Sequence, residues 1–195
     1  MSKAIDQATQ ELLFTQANTP ANFTEAPVSD AQIHAAYELM KWAPTAFNAQ
    51  PMRIVLVNSP EKRAALVERV MEGNQPRVST ASQVAIIAAD TKFAEHMPTI
   101  NPGMAGVPLW KNTEFTNNLA NTQSWLQLGY LILALRAQGL GVYPMTGIHN
   151  DQINAEFFAD GQLQTVAVLA IGNIDETAAR PRNPRHDIET AITSI

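Results

Sequence analysis

The chain contains no cysteine. That single absence excludes a disulfide framework, thiol catalysis and thiolate metal sites, and it fits a reducing compartment. No apolar run approaches the ~20 residues needed to span a bilayer. The N-terminus, MSKAIDQATQELLF, has neither a long apolar core nor a small-residue cleavage pattern, so no secretory signal is expected. The Asn22-Phe23-Thr24 sequon then reads as accidental, and a cytoplasmic protein is the expectation. Positive charge is scarce: 13 Lys and Arg face 18 Asp and Glu, a formal charge of −5. Such a field disfavours nucleic acid and acidic membrane as partners, so an anionic ligand needs a local group of cations. His34, His96, His149 and His186 stand apart without ligand spacing, and no metal site is expected. There is no G-x-G-x-x-G opening a helix, no Walker A loop, no H-E-x-x-H and no G-x-S-x-G. Ser59 and Lys62 match S-x-x-K, but at a helix start, where capping accounts for the serine. With no evident protein nucleophile or acid–base pair, an enzyme made from this chain would leave its chemistry to a cofactor.

What is present suits one domain spanning 1–195: 46% of the residues are hydrophobic and 16% charged, an ordinary globular balance. Residues 5–16 are compatible with an N-terminal helix that buries Leu12, Leu13 and Phe14. A better helix follows in VSDAQIHAAYELMKW, capped by Ser29 or Asp30, with Ile33, Ala36, Tyr37 and Met40 at helical spacing. Strands are expected at 53–57, at 83–90 (QVAIIAAD, apolar enough for burial on both faces) and at 165–173. Pro60 opens a helix between the first two. Residues 91–117 carry Pro98, Pro102, Gly103, Gly106 and Pro108 without periodicity, and read as a loop or short-helix excursion. A long helix is expected over about 118–138, apolar almost all round within WLQLGYLILAL and therefore central in the core or at a subunit interface. A capped helix around 151–158 precedes the last strand, and an extended tail, 174–195, includes Arg180, Arg182 and Arg185. The class is α+β (α/β-type), too irregular for a doubly wound sheet.

The segment KWAPTAFNAQPMRIVLV raises the question of function most directly. Thr45, Asn48 and Gln50 stand between a helix end at Pro44 and a buried strand. They read either as a turn connector or as a loop whose polar groups face a ligand. The stretch WAPTAFNAQP resembles the nitroreductase-family pattern of proline, Ser/Thr, two variable residues, asparagine, one variable residue and Gln-Pro. Further stretches, EGNQPRV, YLILALRAQGLGVYPMTGI, AEFF and PRNPRHDIETA, follow in order and resemble the branch of that family containing the malonic semialdehyde reductase of pyrimidine degradation.

The resemblance implies a nitroreductase-like fold: a mostly antiparallel central sheet flanked by helices, with the long helix at a homodimer interface that holds FMN. By the same resemblance Pro44, Thr45, Asn48 and Gln50 would contact FMN from one protomer. Asn74 and Arg77 would reach the pyrimidine edge of the ring, where a permanent planar cation stabilises the negative charge of the reduced flavin. Pro144, Met145, Thr146 and Gly147 would lay their backbone against the ring near N5, with Gly147 permitting close approach. Arg185, assisted by Arg182, would bind the phosphate. NADH or NADPH would pass hydride to N5 and a small acceptor would collect it, a ping-pong cycle on a nitro compound, quinone, enone or small aldehyde. The pattern breaks at Asn18, where the family has a phosphate-binding arginine, and at Thr122, where this branch has another arginine. That break motivates an alternative, a flavin-sequestering or degenerate member with little turnover; a structural dimer without cofactor is a third reading.

Overall fold

The computed structural model describes residues 3–178 and 181–195; Arg180 lies outside them. Four strands, β1 (Met52–Leu56), β2 (Gln83–Asp90), β3 (Gly141–Met145) and β4 (Leu163–Gly172), form one antiparallel sheet in the order β1-β2-β4-β3. Every residue of β2 is buried. Its alternation explains why: Ala85, Ile87 and Ala89 enter one hydrophobic core, whereas Val84, Ile86 and Ala88 enter another on the opposite face. In β4, Ala167, Leu169 and Ile171 divide from Val168 and Ala170 in the same way.

On the first face lie α2 (Asp30–Met40) and α6 (Thr113–Ala137), and the core between them and the sheet holds Ile33, Met40, Leu128, Leu131 and Leu135. Ser29 caps α2 in a reciprocal box with Gln32. Opposite lie α3 (Pro60–Val67), α4 (Gln75–Thr80) and α7 (Asn150–Phe157), which bury Leu66, Val78 and Ile153. Three shorter helices complete the chain: α1 (Gln7–Gln10), α5 (Met97–Ile100) and α8 (Ile188–Ala191). Among the described residues no helix is long and apolar enough to cross a membrane, and no group of three His, Asp or Glu is placed to hold a metal.

Two expectations are corrected. The helix expected over 5–16 breaks after Gln10 into a wider turn closed by Gln16 N–H on the Glu11 carbonyl at 2.8 Å, and Leu12 and Phe14 are both 51% exposed. The turn packs against α6, where Arg136 donates to the Leu13 carbonyl, yet these two side chains stay at the surface, so apolar residues there do not imply burial. The long helix starts at Thr113 rather than near 118, because the Asn112 side chain accepts from Phe115 N–H and supplies a cap inside a polar run. Thr122 therefore lies well inside α6 instead of at its start, with its hydroxyl on the Asn118 and Leu119 carbonyls. The excursion expected over 91–117 is a chain of short helical turns only as far as Lys111, anchored by Trp110 with its indole N–H on the Met104 carbonyl at 2.7 Å; its last residues are the first turn of α6.

Candidate functional site

The outer strand β3 pairs only with β4 and so leaves one edge open. Pro144 is tolerated there because an edge strand does not need its missing N–H. At the end of β3 the chain turns through Thr146 and Gly147, and the Gly147 carbonyl accepts from Met71 N–H at 3.0 Å and from Asn74 Nδ2 at 2.9 Å. A Cβ on Gly147 would stand 2.8 Å from that amide nitrogen, so glycine lets the Asn74 side chain close on the turn without shifting. Met145 is turned into the second core and buried, while Pro144 and Thr146 are exposed.

Arg77, on α4, lies against Tyr143 of β3, shortly before this turn. Its guanidinium carbon is 4.6 Å from the centroid of the Tyr143 ring, and Nη1 donates to the Gly73 carbonyl at 3.3 Å. Its Nε is buried without a partner. Among the described residues Arg77 enters no ion pair. An arginine with an orphaned buried donor and no carboxylate beside it is set for an acceptor from outside the chain.

At the other end of β3, four residue steps or ~13 Å away, a cavity of about 1000 Å³ opens between the N-terminal arm, the end of α6 and the C-terminal tail. Asn18, Arg136, Arg182 and Arg185 line it. Arg182 Nη2 donates to the Ala17 carbonyl at 2.6 Å, and Arg136 Nη1 to that of Leu13 at 3.3 Å. Burial, and then the like charge of Arg182, pull the Arg136 pKa below its ordinary value. Arg185 is exposed, with Nη1 on the carbonyls of Asn183 and Pro184 at 2.9 and 3.1 Å.

The loop 44–50 sits at the opposite edge, before β1. Phe47, Asn48 and Gln50 have φ of 59°, 57° and 43°, a left-handed conformation that costs a residue with a Cβ of order 1–3 kcal/mol. Surrounding groups hold it. Asn48 Nδ2 donates to the Ile100 carbonyl at 2.7 Å and Asn101 Nδ2 to that of Phe47 at 2.8 Å. Gln123, from α6, accepts from Ala46 N–H at 2.8 Å, and the Thr45 hydroxyl accepts from Gln50 N–H at 3.2 Å. Arg53 donates to the Gln50 carbonyl at 2.9 Å while its other nitrogen pairs with buried Asp90 at 2.6 Å. Pro44 and Asn48 are exposed; Thr45 and Gln50 are half-buried.

One chain therefore brings Asn74, Arg77 and the 144–147 turn together, and gathers Arg182 and Arg185 in the cavity beyond. It does not bring the loop to either: the two edges are three strand spacings, ~14 Å, apart. Sequence reasoning missed Tyr143, Arg136 and the loop supports Asn101 and Gln123. Only Arg136 carried a signal, as a cation in the last turn of a helix whose second half is otherwise mostly apolar.

Comparison with known proteins follows this geometry. The family described as Nitroreductase family matches residues 19–173. The chain is 40% identical over 200 residues to a Streptomyces griseus protein provisionally named NADH dehydrogenase/NAD(P)H nitroreductase, the alignment covering 100% of each. Its fold superposes on a provisionally assigned nitroreductase from Bacillus subtilis with a TM-score of 0.88 at 21% identity, covering 97% of this chain and 100% of that one. A similarly assigned nitroreductase from Exiguobacterium sibiricum, solved in complex with FMN, gives a TM-score of 0.83 at 23% identity over 100% and 99% of the two chains.

Proposed function

Since the chain belongs to the nitroreductase family, we propose that it is an FMN-dependent oxidoreductase, working as a homodimer, that moves hydride from NADH or NADPH to a small acceptor. The acceptor is a nitro compound, quinone, enone or small aldehyde, and donor and acceptor use one site in turn. The observation that carries this reading is the orphaned Nε of Arg77 beside the turn where Gly147 lets the Asn74 side chain close on the backbone. The solved relative in complex with FMN and the nicotinamide in the name of the Streptomyces protein support it.

Bound at the β3 edge, FMN would supply a ring that accepts electrons from the nicotinamide and releases them to the acceptor. Arg77 keeps a permanent positive charge where negative charge on a reduced ring needs compensation. Asn74 spends one amide hydrogen on Gly147 and retains its carbonyl oxygen as an acceptor for a ring N–H. The arginines of the cavity answer a phosphate, whose charge cannot be buried uncompensated.

A second protomer accounts for what one chain leaves unfinished. The loop with Pro44, Thr45, Asn48 and Gln50 reaches a cradle only across an interface. The exposed apolar surface of α2, the turn after it and α6, with Leu39 at 52%, Trp42 at 80%, Trp125 at 41% and Tyr130 at 42% exposure, supplies material for one.

The test is reconstitution of the purified protein with FMN, followed by NADPH or NADH without oxygen. Saturable flavin binding and bleaching of the bound flavin's visible absorbance are expected. Failure to bind flavin at high micromolar concentration would sink the proposal. Asn18, uncharged where the family has arginine, favours a second reading, a flavin holder with little turnover; binding without bleaching would select it.

A further inference from the structure

The cavity at the start of β3 holds an arrangement that the arginine–phosphate pattern of the family does not account for. Arg136, from the end of α6, and Arg182, from the tail, reach the same N-terminal arm through the carbonyls of Leu13 and Ala17. Asn18 is the next residue along, and it lines the same cavity. Neither arginine is ion-paired among the described residues. Asp175 and Glu176 also line the cavity, but Asp175 is taken up by Thr177, whose N–H and hydroxyl it accepts at 3.0 and 2.6 Å. Each guanidinium carries five donors, and Arg136 and Arg182 each make a single hydrogen bond among the described residues. Half-buried Arg136 feels the like charge of exposed Arg182, and that repulsion is a cost unless an anion joins them.

We propose that Arg136, together with Arg182, binds the phosphate monoester of the flavin in place of the arginine that Asn18 replaces. The inference rests on the flavin reading and deepens it. A dianion between the guanidinium groups turns their repulsion into two charge-assisted contacts, with the arm carbonyls fixing both side chains beforehand. The last turn of a helix is otherwise a poor place for an anion, since its carbonyls project partial negative charge. Arg136 offsets that local field, which explains why the cation is found on this helix end.

The experiment compares FMN with riboflavin, which lacks the phosphate, by flavin fluorescence titration of the apoprotein. Arg136→Gln is expected to weaken FMN roughly ten- to a hundredfold while leaving riboflavin affinity unchanged. Arg136→Lys should keep part of the preference for FMN, and Asn18→Arg added to Arg136→Gln should restore it. Equal weakening of FMN and riboflavin would mean that Arg136 only clamps the arm, and would overturn the inference. So would an Arg136→Gln protein with native FMN affinity, or one in which only the KM for NADPH rises. In these three outcomes the native protein still binds FMN and the flavin reading stands; a native protein that binds neither flavin removes both.

Discussion

The two edges of the sheet present polar groups in opposite states. At the β1 edge the loop 44–50 is strained, with three non-glycine residues at positive φ, and its hydrogen-bonding groups are engaged by Arg53, Ile100, Asn101 and Gln123. At the β3 edge the backbone is ordinary, apart from the close approach at Gly147, and the charges are unmatched: Arg77 has an orphaned Nε and Arg136 faces Arg182. Strain persists only where neighbours over-determine the conformation. Unmatched charge persists where something from outside completes it. The loop is thus held in shape by its own chain, whereas the β3 edge carries charge that its own chain leaves unmatched.

The largest effect should come from removing what finishes the loop. Asp90 is 1% exposed and pairs with Arg53, itself 32% exposed. It also accepts from Lys92 N–H at 2.9 Å. Asp90→Asn leaves Arg53 without its counter-charge and loosens its hold on the Gln50 carbonyl. The cost should be about 3 kcal/mol, at the low end for a buried pair because Arg53 is partly solvated. For a chain of this size that lowers Tm by roughly 6–12 °C. A melt within about 2 °C of the native protein would break the claim that the loop is held from within.

Arg77→Gln should do the converse. The side chain makes one long hydrogen bond and a stack on Tyr143, so stability should change by less than ~1 kcal/mol. Flavin affinity should fall roughly ten- to a hundredfold, since a charge-assisted contact is lost. Paired with Asp90→Asn, it separates a residue that shapes the protein from one that awaits a ligand. If Arg77→Gln melted as low as Asp90→Asn, the contrast between the edges would disappear. Asn48→Ala comes next. It deletes the bond to Ile100 and places alanine at φ 57°, and about 1–2 kcal/mol of stability should go with it. Asn48→Gly should recover part of that, which separates the backbone conformation from the lost hydrogen bond.

The core was legible in the chain because it rests on periodicity. The segment 83–90, apolar from Val84 to Ala89, became a strand buried on both faces, and the strands expected at 53–57 and 165–173 shifted by no more than two residues. The N-terminal arm was not legible: Leu12, Leu13 and Phe14 look like core, and only tertiary placement tells which apolar residues are covered. The start of α6 was hidden because Asn112 caps from within a polar run. At the site, likeness to a family pointed to Asn74, Arg77 and Gly147, and the structure brings them together. It could not point to Arg136, because a lone arginine at a helix end has no motif, and only the cavity reveals its neighbours. Nor do Phe47 and Gln50 announce left-handed backbone, which a sequence signals reliably through glycine alone.

The smallest effect concerns the support behind the cradle. Glu156 of α7 clasps Lys62 of α3 at 2.9 Å and Arg69 at 3.0 Å, and the Arg69 carbonyl accepts from His149 N–H two residues past Gly147. The hydrogen bond from Lys62, then its charge, and that of Arg69 against a small opposing cost of burial, hold the Glu156 carboxyl below its ordinary pKa of 4.5. A depressed folded pKa means that the folded state favours the carboxylate. The contribution is therefore fully present above the unfolded value and is lost as pH falls through the folded one. Between pH 7 and 5 the stability gap between the native protein and Glu156→Gln should stay constant, and below about pH 4 it should shrink. Melting curves across that range read the gap directly; one that does not change with pH would show that the clasp holds by packing, not charge.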